Sequence, residues 1–98
     1  MTGTTRTSHG LDPQRRRALF RAWHRGIRET DLLLGRFADV YIADLTDADL
    51  RDFEALMDAP DRDILAWLTG ELPVTADYAT PVYRALERFH ATRDDDEE

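Results

Sequence analysis

Apolar residues recur every three or four positions along most of the chain, and glycine, proline or helix-capping residues separate the runs. This spacing predicts amphipathic helices, because side chains three or four residues apart share one helix face. The first run starts at Pro13 behind the capping residue Asp12, and we expect Gly26 to end it in a left-handed conformation. Its apolar stripe consists of Leu19, Phe20 and Trp23.

The second predicted helix begins near Glu29 and is apolar over more than one face, which is typical of a helix at the centre of a core. Gly35 within it costs about 1 kcal/mol relative to alanine and indicates a close packing contact or a kink. Residues 40–42 could alternatively form a short strand, although the sequence offers no strand to pair with it. The apolar positions of this helix are Leu32, Leu33, Leu34, Phe37, Val40, Tyr41 and Ile42.

The third and fourth predicted helices have recognisable starts. Thr46 followed by Asp49 resembles a capping box, with aspartate in place of the usual glutamate. The fourth helix begins near Pro60 and stops at Gly70. The apolar residues of these two helices are Leu50, Phe53, Leu56 and Met57, then Ile64, Leu65, Trp67 and Leu68.

The fifth predicted helix has Thr80 as its cap and Pro81 as its first residue, with a stripe of Val82, Leu86 and Phe89. Residues 93–98 are a run of charged residues, RDDDEE, and residues 1–12 are small and polar, so we expect disordered tails. Five helices joined by short links predict an all-α fold, a compact five-helix bundle that forms a single domain over residues 13–92.

The charges of the chain are segregated. Its 98 residues include 13 arginines, no lysine and 20 acidic residues, for a net charge of −7, yet residues 1–38 carry +5 and residues 39–98 carry −12. The acidic excess argues against general nucleic-acid binding. The absence of cysteine excludes disulfides and thiol chemistry. No apolar run approaches the roughly 20 residues that span a bilayer, so we expect a soluble, cytoplasmic protein without membrane insertion.

Candidate catalytic and metal-ligating groups are few. His9, His24 and His90 are far apart and lack the spacing of metal-binding motifs, and no nucleophile elbow or phosphate-binding loop is present. We therefore expect no catalytic residue and no metal site.

The triple arginine at residues 15–17 could indicate DNA binding, but the third and fourth helices are acidic, so a solvated helix turn is favoured.

The most informative segment is RAWHRGIRETDLLLGRF, residues 21–37. It places Arg25, Gly26 and Glu29 at a tight junction between the first two helices, with Arg28 beside them. In one interpretation the glycine caps a helix, the glutamate favours the positive end of the next helix and the arginines are solvated. In the other, the turn is exposed and offers an anion, cations and a close backbone approach to a partner. The residues alone leave both interpretations open.

The segment HRGIRETD resembles the RGxxE motif of the succinate dehydrogenase assembly factor family. The segments DLLLGRFAD, LTDADLRDFEALMDAPD and DILAWLTG are similar to the family's following segments in order and spacing, so the resemblance spans residues 17–89. His24 stands where the family usually has arginine or lysine, and Thr30 occupies a commonly apolar position. The resemblance implies a five-helix bundle, the same fold that the periodicity predicts.

The resemblance implies an assembly chaperone rather than an enzyme. It implies binding to the flavoprotein subunit of succinate dehydrogenase, with the fumarate reductase flavoprotein as a further candidate, and promotion of covalent FAD attachment to a client histidine by positioning. The FAD belongs to the client and its electrophilicity supplies the chemistry, so we expect no tightly bound cofactor in this chain, and a monomer when it is free. An antitoxin-like or regulatory protein-binding module is the alternative function.

The resemblance also implies which residues meet the client. Arg25 and Glu29 would make polar contacts, and Gly26 would let the client backbone approach. Trp23 and Phe37 would flank this patch or belong to the core. The candidate partner-binding residues are Arg21, Trp23, Arg25, Gly26, Arg28, Glu29 and Phe37, with Arg36 as a further arginine at the rim, where guanidinium groups can pair with carboxylates.

Overall fold

The computed structural model describes residues 10–96, and the side chains of residues 10–91. Within this part of the chain there are five α-helices and a short 3-10 helix without any strand, so the all-α prediction is confirmed and the alternative strand at residues 40–42 is wrong. The elements in order are α1 (Pro13–Trp23), α2 (Arg28–Tyr41), α3 (Asp47–Met57), α4 (Asp61–Leu68), the 3-10 helix (Ala76–Tyr78) and α5 (Pro81–Asp96).

Two helix starts follow the capping side chains that the sequence predicts. The Asp12 carboxylate accepts a hydrogen bond from the Arg15 backbone N–H at 2.8 Å, and the Thr46 hydroxyl accepts one from the Asp49 N–H at 3.1 Å. Each bond satisfies an N–H group that has no partner within its own helix. The hydrogen bonds from the backbone and side chain of Arg15 hold the pKa of the Asp12 carboxyl below its usual value. Local sequence therefore determines where α1 and α3 begin.

Most of the predicted apolar stripes form the core. The central helix α2 packs against α1, α4 and α5, while α3 contacts α1 and α5. Phe37 meets the rings of Phe53 and Phe89 at centroid distances of 5.7 and 5.8 Å, so α2, α3 and α5 come together there. Tyr83, which the sequence analysis did not assign, is wholly buried as well. The predicted residues that are buried are Leu19, Trp23, Leu34, Phe37, Ile42, Leu50, Phe53, Leu56, Met57, Ile64, Trp67, Val82 and Leu86.

Three residues predicted for the apolar stripes lie at the surface instead. Phe20 is 62% exposed, Val40 is 51% exposed and Tyr41 is 39% exposed. The buried face of α1 is centred on Ala18 and Ala22, on the side of the helix opposite Phe20. These small side chains let α1 pack closely, and a stripe drawn through large residues alone overlooks them.

Gly35 is a close packing point. A methyl group added there would overlap the indole ring of Trp23, while α2 continues through this position without interruption. The Trp23 ring therefore lies directly against the α2 backbone. Its Nε1 donates a hydrogen bond to Asp39 Oδ1 at 3.0 Å, which gives the only polar atom of the ring a partner.

Arg15 joins the start of α1 to the end of α2. Its Nε donates to the Ile42 carbonyl at 3.0 Å, one Nη donates to the Leu45 carbonyl and the other pairs with Asp12 at 2.7 Å. Carbonyl groups at a helix C-terminus carry partial negative charge, so a guanidinium is favourable there. The prediction that residues 15–17 form a solvated turn is therefore wrong for Arg15, whereas Arg16 and Arg17 are exposed.

The structure describes residues on both sides of the predicted domain, residues 13–92. Leu11 packs against the core and Asp12 caps α1, so these two residues of the predicted N-terminal tail contact the helices. Residues 1–9 of that tail lie outside the described residues. Helix α5 continues through residues 93–96, which the sequence analysis assigned to the acidic tail. No glycine or proline follows Pro81 to stop this helix. The last two residues lie outside the described part.

Candidate functional site

The junction between α1 and α2 consists of residues 24–27. Helix α1 ends at Trp23, where the His24 N–H bonds to the Arg21 carbonyl at 3.2 Å, so the predicted end at Gly26 is three residues too late. Gly26 has φ of +109° and is exposed, with no side-chain atom nearer than 4.0 Å to an added Cβ. The backbone conformation, and not crowding, is what favours glycine here.

Arg25 points from the junction into the bundle. Its Nη2 and Nε lie 2.7 and 2.8 Å from Oδ1 of Asp61, the first residue of α4, and its Nη2 also donates to the Ala59 carbonyl at 3.3 Å. The side chains of Arg25 and Asp61 are only 11% and 16% exposed. The interpretation of Arg25 as a solvated residue is therefore wrong, because its guanidinium holds the junction against α4.

Two short polar side chains in the first turn of α2 hold the junction from the other side. Asp31 accepts a hydrogen bond from the Arg25 backbone N–H at 2.5 Å, and the Thr30 hydroxyl donates to the Ile27 carbonyl at 2.9 Å. Thr30 is fully buried, and this bond satisfies its hydroxyl. Sequence reasoning missed Asp31 and Asp61, whose common signal was an acidic residue in the first turn of a helix.

The remaining motif residues face solvent. Gly26, Arg28 and Glu29 are exposed, and none of the described carboxylates or basic groups pairs with Arg28 or Glu29. Glu29 lies in the first turn of α2, where its negative charge suits the positive end of the helix dipole. Arg36 is exposed two turns further along α2. The junction thus presents a bare backbone turn with one cation and one anion beside it.

The other candidate residues are placed differently. Trp23 and Phe37 are buried at 7% and 1% exposure, so both belong to the core and not to the exposed patch. Arg21 pairs with Asp58 at 2.8 Å on the surface, and both side chains remain substantially exposed. Arg21 therefore lies on the surface of α1 and is not part of the junction.

Among residues 10–91, no three histidine, aspartate or glutamate side chains converge as a metal-ligand set. No helix formed by the described residues is long and apolar enough to cross a bilayer.

Comparison with known proteins identifies relatives across most of the chain. Residues 16–90 match the family described as the flavinator of succinate dehydrogenase. A FAD assembly factor from Acetobacter pasteurianus is 41% identical over 76 residues, which are 78% of this chain and 70% of that protein.

Mitochondrial proteins named succinate dehydrogenase assembly factor 2 are similar as well. The one from Dictyostelium discoideum is 36% identical over 84 residues, covering 86% of this chain and 59% of that protein. The one from Yarrowia lipolytica is 44% identical over 63 residues, covering 62% of this chain and 43% of that protein. The chain therefore spans about half the length of these two mitochondrial relatives. Because the family match covers all of α2–α4 and the junction, the chain belongs to the family of succinate dehydrogenase flavinators, as the resemblance over residues 17–89 predicted.

Proposed function

We propose that this protein is an assembly chaperone that binds the flavoprotein subunit of succinate dehydrogenase and promotes covalent attachment of FAD to a histidine of that client. The observation that carries the proposal is the family match over residues 16–90, which includes the exposed junction. The fumarate reductase flavoprotein is proposed as a second client, and the cytoplasm as the location.

The exposed side of the junction is the proposed client-binding site. Gly26 has no side chain, so a client backbone can approach the turn, while Arg28 and Glu29 offer a donor and an acceptor on either side of that approach. Arg25 supports this site from within, because its contacts to Asp61 and Ala59 hold the turn in place. A direct contact between Arg25 and the client would require it to leave Asp61.

The proposed role is positioning and not catalysis by this chain. In the client, the bound FAD supplies the electrophile that forms the bond to the histidine. This chain would bind the client as a monomer and favour the conformation in which the reacting groups are aligned, which lowers a barrier by several kcal/mol in well-oriented systems. No tightly bound cofactor of its own is needed for that role.

The test measures how much flavin is covalently attached to the flavoprotein subunit in a strain that lacks the gene for this protein. Gel electrophoresis in denaturant removes non-covalent FAD, so fluorescence of the flavoprotein band measures the covalent fraction. We expect a several-fold loss in the deletion strain and recovery with the wild-type gene. Undiminished fluorescence in the deletion strain would overturn the proposal, and pull-down of a toxin in place of a flavoprotein would favour the antitoxin-like alternative.

Gly26→Arg and Gly70→Arg form a matched pair for locating the site. Gly70 also has a positive φ, +83°, and lies in open space after α4, so arginine there introduces similar backbone strain. We expect Gly26→Arg to abolish recovery of covalent flavin and Gly70→Arg to permit it, with similar helicity by circular dichroism. Equal recovery by both variants would contradict the assignment of the junction as the client-binding site.

A further inference from the structure

The exposed face of α1 carries an aromatic and arginine-rich surface that the proposed site does not use. It consists of Arg16, Arg17, Phe20, Arg21 and His24, which we call the α1 face. These residues are spaced by three or four positions and lie opposite the buried residues Ala18 and Ala22, so they share one side of the helix. Pro13 and the first four of these residues line an open groove on this side.

Phe20 has the highest exposure of any large hydrophobic side chain in the described part of the chain, at 62%. Its ring stacks on the His24 imidazole with centroids 3.8 Å apart and an interplanar angle of 17°. His24 is further held because its Nδ1 lies 2.7 Å from the Phe20 carbonyl oxygen. The pair forms a flat aromatic platform whose two rings hold each other in place, so little side-chain freedom remains to be lost on binding.

All the charged residues of the α1 face are arginines. Residues 13–24 contain no acidic residue, although the whole chain carries −7. No described carboxylate lies within ion-pair distance of Arg16 or Arg17, and only Arg21 is paired, with Asp58. Arg16 donates one N–H to the Leu11 carbonyl at 3.0 Å, which leaves its other donors available.

An aromatic platform flanked by unpaired guanidinium groups suits a protein surface that bears carboxylates and an apolar side chain. Arginine pairs with carboxylates through two parallel hydrogen bonds, and aromatic residues are the usual anchors at the centre of protein interfaces. Duplex DNA fits this surface less well, because Asp58 lies at its edge and the rest of the molecule is acidic, which repels phosphate.

The α1 face is also contiguous with the proposed client-binding site. His24 at its end is followed directly by Arg25 and Gly26, and both His24 and Gly26 are exposed. One partner could therefore cover the junction and the α1 face together. We propose that the α1 face is a second docking surface for the same client, and that it binds an acidic patch with an apolar side chain placed over Phe20. This inference rests on the proposed function.

The experiment measures the dissociation constant of the full chain for the purified succinate dehydrogenase flavoprotein subunit by calorimetry. We expect Phe20→Ala and Arg17→Glu each to raise this constant by about tenfold or more. Arg17→Glu should also slow association and weaken its dependence on salt. The controls are Leu72→Ala, an apolar residue 52% exposed after α4, and Arg51→Glu, an exposed arginine on α3, which should leave the constant within about twofold.

The possible outcomes separate this inference from the proposed function. Absence of flavoprotein binding by the wild-type chain overturns both. Binding by the wild type that neither variant changes by more than about twofold overturns the α1 face alone. Binding of duplex DNA at moderate salt that depends on Arg17 and Phe20 would also overturn it, in favour of a nucleic-acid surface.

Discussion

The two sides of the junction between α1 and α2 differ in environment, although the residues concerned, Arg25 and Glu29, are only four positions apart in the sequence. On the inner side, Arg25 pairs with Asp61 and both side chains are mostly buried. On the outer side, Arg28 and Glu29 are exposed and pair with no described charged group. A single short motif thus supplies both the residue that holds the turn and the residues that a partner can reach.

This difference in burial predicts that charged residues on the inner side contribute to folding stability, whereas those on the outer side contribute to partner binding. A charge on the inner side has lost water and depends on its partner, so removing it leaves the other charge buried without compensation. A charge on the outer side keeps its hydration and contributes little to folding. Substitutions on the inner side should therefore lower stability, whereas those on the outer side should lower partner binding alone.

The largest expected effect is on folding, from Arg25→Ala. This variant leaves the Asp61 carboxylate without its guanidinium partner, and we expect the free energy of unfolding in urea to fall by about 2–4 kcal/mol. The matched control is Arg21→Ala, which breaks the exposed ion pair with Asp58 and should cost no more than about 1 kcal/mol. Equal losses for the two variants would remove the distinction between the inner and the outer side.

A smaller effect on folding, with a clear effect on binding, is expected from Glu29→Gln. The Glu29 carboxylate is exposed in the first turn of α2 and pairs with no described basic group, so the free energy of unfolding should change by less than about 1 kcal/mol. The dissociation constant for the flavoprotein subunit should rise by about tenfold. Glu71→Gln, at an exposed position after α4, is the control and should change neither quantity. A larger stability loss than that of Arg25→Ala would place Glu29 on the inner side.

The smallest expected effect comes from Tyr83, whose hydroxyl has no hydrogen-bond partner among the described residues. Tyr83 is fully buried in α5 and its hydroxyl bonds to no described residue. Burial, with a smaller contribution from the negative charge of Glu87, raises the pKa of Tyr83 to about 12. Tyr83→Phe removes this hydroxyl and should leave stability at pH 7 unchanged or higher by up to about 1 kcal/mol.

The raised pKa of Tyr83 should also make the free energy of unfolding depend on pH. Below pH 10 both states keep the phenolic proton, so Tyr83 causes no dependence there. Between pH 10 and about 12 the unfolded chain loses a proton that the folded chain keeps, so stability falls as pH rises. We expect Tyr83→Phe to lessen this decline and Tyr41→Phe, at an exposed position, to retain it. An unchanged decline in Tyr83→Phe would show that its pKa is not raised by folding.

Those features that depend on neighbouring residues were predictable from the sequence. The caps at Asp12 and Thr46 and the buried stripe of α3 follow from spacing within one helix, and the structure has them where the sequence predicts them. The family itself was predictable because the ordered segments after the RGxxE motif carry more information than the five-residue motif.

Those features that depend on distant partners were not predictable. Arg25 meets Asp61 across 36 positions, and Arg15 meets the Leu45 carbonyl across 30, and nothing in the local sequence distinguishes these arginines from exposed ones. The exposure of Phe20 likewise depends on which side of α1 the other helices cover. Helical spacing gives the relative orientation of side chains, but the tertiary packing decides which side is buried.

Gly35 and Gly26 have a consequence for how far this sequence can vary. At position 35 the Trp23 ring occupies the space of any side chain, and at position 26 the backbone conformation disfavours any residue with a Cβ. The two positions limit substitution for independent reasons, one steric and one conformational. Working variants of this protein should therefore keep glycine at position 26, and should keep it at position 35 unless a smaller residue replaces Trp23.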